Sequence, residues 1–307
     1  CRKGRARVNN FCGRLLQAIM HTAMTVRRFC YKLHLWAGLL AGIIVFIVSI
    51  TGAIYLFKDE IVSMTEPWRK VTVESKPFVH TSRLLDIANK AAHDSHPSAI
   101  TIGGRGESVW VDYFGENSQA TIYLNPYSGK VIHEERKGNG DFDFFNFIIN
   151  GHLRLWLPQE IGKPLVSYAI LLFFITLVTG MVVWWPKRFT RKSIKTRLAF
   201  HRPIRTKRLL VDLHNVLGFY MLLPMVAVSL TGLIFGLDWF SNAVYKVASG
   251  GKSMEAYTLP ASDSTMANRP TASIDLLEAK VKRETPCAVQ YYYALPTDSL
   301  GSYRVSV

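Results

Sequence analysis

Cysteine is scarce in this sequence, at 4 of 307 residues, and the few present build no framework. Cys1, Cys12 and Cys30 share one basic stretch while Cys287 stands alone far downstream, so disulfides are not expected. Acidic residues are missing from two places. Residues 1–34 carry eight Lys/Arg and no Asp or Glu, and residues 186–212 carry ten Lys/Arg against only Asp212. The third shortage is of charge altogether. Leu35 to Phe57 is a run of 23 positions without Asp, Glu, Lys, Arg or His, and Leu165 to Trp185 is another of 21. Leu213 to Leu237 is a run of 25 in which His214 is the only residue of those five types. A hydrophobic content of 49% with mean hydropathy of +0.12 fits a large soluble domain, so the clustering decides the class. Each run is long enough to cross a bilayer as a helix. Pro164 is predicted in the first turn of the second helix, where its missing N–H costs nothing.

A net charge of +15 points to nucleic acid only when it is spread over a soluble surface. Here the excess sits beside the apolar runs, whereas residues 58–163 hold twelve basic and fourteen acidic residues. Nucleic acid is therefore not an expected partner; the lipid bilayer is. The positive-inside rule predicts a cytoplasmic basic N-terminal segment (1–34) and a cytoplasmic basic loop (186–212). Between them lie spans at 35–57, 164–185 and 213–237, with non-cytoplasmic segments at 58–163 and 238–307.

An internal repeat runs through the chain at an offset of 180 residues. Leu33-His34-Leu35-Trp36-Ala37-Gly38 aligns with Leu213-His214-Asn215-Val216-Leu217-Gly218, and Val48-Ser49-Ile50-Thr51-Gly52 with Val228-Ser229-Leu230-Thr231-Gly232. Both copies place Thr-Gly 17 residues after the histidine, so spans one and three are expected to be duplicated, parallel helices. The segments that follow them also correspond. Ser82 to His93 reads as a helix, followed by strands at Ser108 to Phe114 and Ala120 to Leu124, the turn Asn125-Pro126-Tyr127-Ser128-Gly129, and Lys130 to His133. After span three, Ser273 to Arg283 reads as the matching helix, with strands at Ala288 to Ala294 and Ser302 to Val307. A repeat of span, outer unit and returning span predicts a fourth span beyond residue 307, with the second outer unit incomplete.

Histidine near the hydrocarbon is uncommon without a role, so His34 and His214, at equivalent ends of parallel helices, are candidate ligands. Alternate helices of a four-helix bundle lie diagonally across its core, where two neutral imidazoles can clasp one iron from opposite faces. Gly38 and Gly218 follow the histidines by four residues, one turn deeper on the same face. They leave clearance for a macrocycle; equally, Gly38 and Gly42 form a small-xxx-small pair suited to close helix packing. His152, in Asn150-Gly151-His152-Leu153-Arg154, lies before span two and would find its partner on the fourth span. His93 and His96 flank Asp94 as a His-x-x-His pair that Pro97 works against. His201 is a weaker alternative ligand, and His21, His80 and His133 have no supporting context. No Asp or Glu falls inside a predicted span, which disfavours a proton-coupled transporter. The outer aromatics Trp110, Tyr113, Phe114, Tyr123 and Tyr127 offer contacts for a bulky chelate, but alternation along strands is a core pattern. Trp36, Trp156, Trp184 and Trp185 suit interfacial anchoring. There is no flavin or nicotinamide fingerprint.

From about residue 27 onward these motifs resemble the PepSY-associated transmembrane proteins, whose members include inner-membrane ferrisiderophore reductases. The matching stretches are Leu33-His34-Leu35-Trp36-Ala37-Gly38-Leu39 with Thr51-Gly52, Gly151-His152-Leu153-Arg154 leading to Thr179-Gly180 and Trp184-Trp185-Pro186-Lys187-Arg188, Leu213-His214-Asn215-Val216-Leu217-Gly218 with Thr231-Gly232, and Tyr123-Leu124-Asn125-Pro126-Tyr127-Ser128-Gly129-Lys130. The resemblance implies a membrane α-helical bundle with periplasmic α+β PepSY-like units, in a bacterial inner (cytoplasmic) membrane. It implies haem b, one or two, with His34 and His214 as axial ligands on the cytoplasmic side and His152 on the periplasmic side. Electrons would pass from a cytoplasmic or quinone donor to a ferric siderophore or other ferric chelate, making a haem-dependent ferric-siderophore reductase. The alternative is a non-enzymatic, membrane-anchored PepSY module that binds a peptide, protease or signalling partner.

Overall fold

The computed structural model describes residues 2–93, 96–115, 118–138, 140–186, 190–200, 206–254, 273–296 and 301–307, with side chains from Thr25 onward except Ser118, Lys192 and Thr196. The chain divides into two compact units, Cys1–Tyr55 with Phe144–Glu255, and Leu56–Asp143 with Ala256–Val307.

The first unit is helical. Three helical segments are long and apolar enough to cross a membrane: Thr25–Leu56 within α1 (Arg2–Leu56), α5 (Gln159–Trp184) and α7 (Thr206–Gly236). All three start before the charge-free runs do, because basic side chains at a span's end do not stop a helix when their heads can reach water. Two expectations change as a result. Pro164 lies inside α5, behind an N-cap at Pro158, and so removes one intrahelical hydrogen bond instead of none. Asp212, expected just outside span three, sits on the second turn of α7, buried and paired with Arg208 at 3.0 Å.

Helix directions follow from the contacts. Arg27 of α1 donates to the Val183 carbonyl near the far end of α5 at 2.6 Å, and Gly38 faces Thr176. Ser167 of α5 lies against Gly236 of α7, Ile170 against Gly232, and Trp184 stacks on Phe219 at 4.2 Å. Thus α5 runs antiparallel to both partners, which makes α1 and α7 parallel, as the repeat predicts. Small side chains (Ala37, Ala41, Ser167, Ala169, Thr179, Ser229) are buried, while Leu39, Leu40, Phe46, Leu223 and Phe235 point outward. Apolar helices in lipid associate through close packing of small residues, since lipid accepts large apolar ones without cost.

A corner joins α4 (Phe144–Arg154), not foreseen as a helix, to α5. Leu155 and Trp156 adopt left-handed conformations with φ of 54° and 59°. Trp156 folds back to donate Nε1–H to the Phe147 carbonyl at 2.8 Å and stacks on Phe147. A Cβ on Gly162 would stand 2.2 Å from the Arg154 carbonyl oxygen, so only glycine lets the helices meet this closely. The unit is completed by α6 (Arg191–Leu198), capped by Thr190, and α8 (Asp238–Ala248).

The second unit holds α2 (Lys58–Thr65), a 3₁₀ turn (Pro67–Arg69), α3 (Thr81–Ala92) and α9 (Ile274–Glu284) around one antiparallel sheet. Its strands are β1 (Ala99–Ile102), β2 (Val109–Phe114), β3 (Ser118–Leu124), β4 (Val131–Gly138), β5 (Tyr291–Ala294) and β6 (Arg304–Ser306), in spatial order β4-β3-β2-β1-β5-β6. The sequence reading treats the segments after spans one and three as two outer units; in the structure they complete each other. The joint is β1, not identified in the sequence, which pairs β2 on one side and β5 on the other and is buried throughout. An open β1 edge would invite pairing, and β5–β6 alone would be too small to persist.

One face of the sheet packs Ile100, Ile102, Val109, Val111, Ile122 and Tyr293 against Leu84 and Ala88 of α3 and Ile274 of α9. The helices are tied together at their starts: Asp275 accepts from the Ser82 N–H at 2.9 Å and from its hydroxyl at 2.6 Å, and Thr81 donates to Glu278. The carboxylate thereby caps a helix in another segment, where His80 makes no side-chain cap. In the turn, Asn125 Oδ1 accepts from Tyr127 and Ser128, and Gly129 takes φ +71° over Ile87.

Candidate functional site

His34 lies nine residues past Thr25, about 13 Å into the first span at the helical rise. It is half-buried, and its Nδ1 lies 2.9 Å from the Thr176 carbonyl oxygen of α5. A carbonyl only accepts, so Nδ1 carries a proton, and in a neutral imidazole so held Nε2 is the nitrogen left to ligate a metal. His214 comes from α7 to meet it. The two rings have centroids 5.9 Å apart and planes at 69°. Metal–imidazole bonds are about 2 Å long, so two imidazoles on one metal hold their centroids roughly 6 Å apart. Gly218 opens on free space, whereas Gly38 makes ordinary contact with Thr176 Cγ2 at 3.6 Å. Gly38 therefore serves close helix packing, and Gly218 is an open position on α7.

His152 sits near the C-terminal end of α4, half-buried, with Nδ1 2.9 Å from the Val48 carbonyl oxygen of α1. The same argument assigns its proton to Nδ1. It borders a cavity of about 770 Å³ between α1, α4, α5 and α7, whose walls include Val48, Ser167, Ile170, Phe173, Val228 and Gly232, with Arg154 and Lys163 among the lining residues. Cofactor sites typically occupy roughly 300–1,000 Å³. From His34 to Val48 is fourteen residues of continuous helix, so the two histidine sites lie about 21 Å apart along α1.

Among the described residues the remaining histidines are not gathered into a site. His93 ends α3 in a left-handed conformation with φ 56°, so it shares no helical face with His96, and Asp94 lies outside the described residues. His133 stacks on Trp68 at 4.0 Å as part of the packing on the second face of the sheet. There Arg69 lies over Trp110 and Tyr123, and burial pushes the Tyr123 hydroxyl up to about 12. Of the outer aromatics, Tyr113, Tyr123 and Tyr127 are core residues, the first and last donating to Asn89 Oδ1 and the Arg105 carbonyl at 2.7 Å; Phe114 is exposed. His201 and the His21 side chain fall outside the described residues. Trp36, Trp156 and Trp185 are exposed, while Trp184 is stacked inward.

Among the described residues no three His, Cys, Asp or Glu side chains converge. A bare protein-held metal usually needs three or four such ligands. Two facing imidazoles suit a metal whose equatorial positions a macrocycle fills. Sequence reasoning missed the receiving groups, the Thr176 and Val48 carbonyls with Gly180 and Gly52. Their only sequence signal is the recurrent Thr-Gly at 51–52, 179–180 and 231–232.

Three spanning helices, two of which bring His34 and His214 together, joined in one chain to an α+β sheet domain, define a polytopic membrane protein with a substantial extramembrane part. The family model described as PepSY-associated TM region matches residues 31–300, and the chain belongs to that family. No curated protein sequence matches it.

Proposed function

We propose that this protein is a haem-containing reductase of the bacterial inner membrane that passes electrons outward to a periplasmic ferric siderophore or similar ferric chelate. The observation that carries the reading is the meeting of His34 and His214 rings at 5.9 Å, with the His34 proton committed to a backbone carbonyl and Nε2 left free. Haem b held there would supply a one-electron redox centre. With His34 and His214 both holding its iron, the chemistry it would supply is electron transfer and not oxygen binding.

The protein's own part is to fix the His34 ring on the Thr176 carbonyl and to bring the more exposed His214 ring from α7 beside it. His152 and its cavity would hold a second haem about 21 Å farther along α1, where Arg154 and Lys163, which line the cavity, would attract its carboxylates. Its partner imidazole comes from a fourth span. The basic ends of the spans face the cytoplasm, and the sheet domain is periplasmic. The electron comes from a cytoplasmic or quinone donor. Ferric iron bound by hard oxygen ligands accepts it to become the softer, less charged ferrous ion, which the chelate holds less tightly.

The test is optical. The purified full-length protein, expressed with adequate haem, is expected to show a Soret band that shifts on dithionite reduction. His34→Ala and His214→Ala should each lower the haem content while leaving the detergent-solubilised protein folded. A wild type without a redox-active Soret band removes the redox mechanism, and retention of full haem in both variants removes this ligand pair.

A further inference from the structure

The two half-buried imidazoles meet their receiving helices by one construction, in which the acceptor of the ring N–H is a backbone carbonyl. His34 Nδ1 meets the carbonyl of Thr176 and lies over Gly180; His152 Nδ1 meets the carbonyl of Val48 and lies over Gly52. In both cases the glycine is four residues after the carbonyl. A helix uses one lone pair of carbonyl i for the N–H of residue i+4; the other side of these two carbonyls is shared, since the hydroxyls of Thr179 and Thr51 also donate to them at 3.2 and 3.1 Å, longer than the 2.9 Å imidazole contacts. An imidazole N–H reaches that side only by lying against the surface of residue i+4.

A Cβ there forbids it. On Gly180 it would stand 2.9 Å from His34 Cε1 and 3.1 Å from Nδ1; on Gly52, 2.8 Å from His152 Cε1 and 3.0 Å from Nδ1. The ordinary explanation for a membrane glycine is close approach of two helices. It does not cover these two, because the three atoms nearest each added Cβ all belong to the imidazole. Gly232 differs, facing the Ile170 side chain at 3.4 Å, and Gly42 faces nothing within 4 Å.

The geometry points to Gly180 and Gly52 as positioning residues for the ligands His34 and His152: each opens a slot in which Nδ1–H is held on a backbone carbonyl and Nε2 is presented to iron. This rests on the haem reading above. A carbonyl accepting from Nδ1–H fixes the tautomer and raises the basicity of Nε2, which favours ferric over ferrous iron. Losing the slot therefore frees the ring and raises the reduction potential of that centre.

The test uses the full chain in detergent with Gly180→Ala and, as a control on the opposite situation, Gly42→Ala. Gly180→Ala is expected to weaken haem retention by about 10–100-fold and shift one centre to higher potential, with Gly42→Ala unchanged. Because alanine in a membrane helix can also disturb packing, a cycle on the haem-free protein compares Gly180→Ala in the wild-type and His34→Ala backgrounds. If the glycine acts through the imidazole, its substitution lowers the unfolding midpoint only when His34 is present. Equal losses in both backgrounds overturn the proposal, as does a Gly180→Ala protein with wild-type potential and haem retention. A wild type that binds no haem sinks the functional reading alone, and the haem-free cycle still decides whether the slot exists.

Discussion

Gly162→Ala perturbs the corner that carries His152, and its effect can be worked through from distances. The new methyl group would stand 2.2 Å from the Arg154 carbonyl oxygen and 2.7 Å from Arg154 Cβ. Ordinary contact needs about 3.4 Å or more, so one helix must retreat by roughly 1 Å. The obstacle is largely backbone, which cannot rotate away as a flexible side chain would. Overpacking of this kind costs about 1–3 kcal/mol. Arg154 is only two residues after His152, so the same retreat acts on the 2.9 Å contact between His152 Nδ1 and the Val48 carbonyl. A shift of about 1 Å takes it past hydrogen-bonding range, adding roughly 1 kcal/mol. The expected total is about 2–4 kcal/mol, read as a fall of several degrees in the unfolding midpoint of the full chain in detergent. The damage should be local: the His34 site, about 21 Å away along α1, keeps its properties. Thermal unfolding of Gly162→Ala beside Gly42→Ala, with haem content measured for both, checks this. An unchanged midpoint would refute the steric argument, and a lowered midpoint with equal disturbance of both histidine sites would refute the claimed locality.

Two predictions concern the sheet domain. Gly129→Ala forces a side chain into φ +71° and against Ile87 Cδ1 at 2.8 Å, so it should destabilise the domain by about 1–2 kcal/mol in chemical denaturation. Asp275→Ala removes the carboxylate that caps α3 and should cost about 1 kcal/mol near neutral pH. Burial works against this carboxylate, yet the hydrogen bonds from Ser82 outweigh it and hold its pKa below the ordinary aspartate value. Its contribution is therefore complete above the unfolded value of about 3.9 and fades as pH falls through the lower folded value. Wild type and variant should converge in strong acid, and a gap that persists there would assign the effect to packing.

The membrane class, the three spanning helices, the parallel relation of α1 and α7, and the histidines to watch were all legible in the sequence. Absence of charge over twenty or more residues and a repeat at fixed offset are properties of the chain itself, set by the cost of burying charge and by duplication. Local turn chemistry at Asn125 to Gly129 was legible for the same reason, since those residues satisfy one another. Three things were decided only in the tertiary structure. The outer segments close one sheet because the β1 edge needs a partner 190 or so residues away, which no local pattern announces. Asp212 joined the third helix because a helix end depends on what pairs the buried carboxylate, here Arg208 one turn before it. The receivers of His34 and His152 are backbone carbonyls beside missing side chains, and a carbonyl is the same at every residue. Which one accepts is settled by how closely another helix can approach, and that closeness is a property of packing.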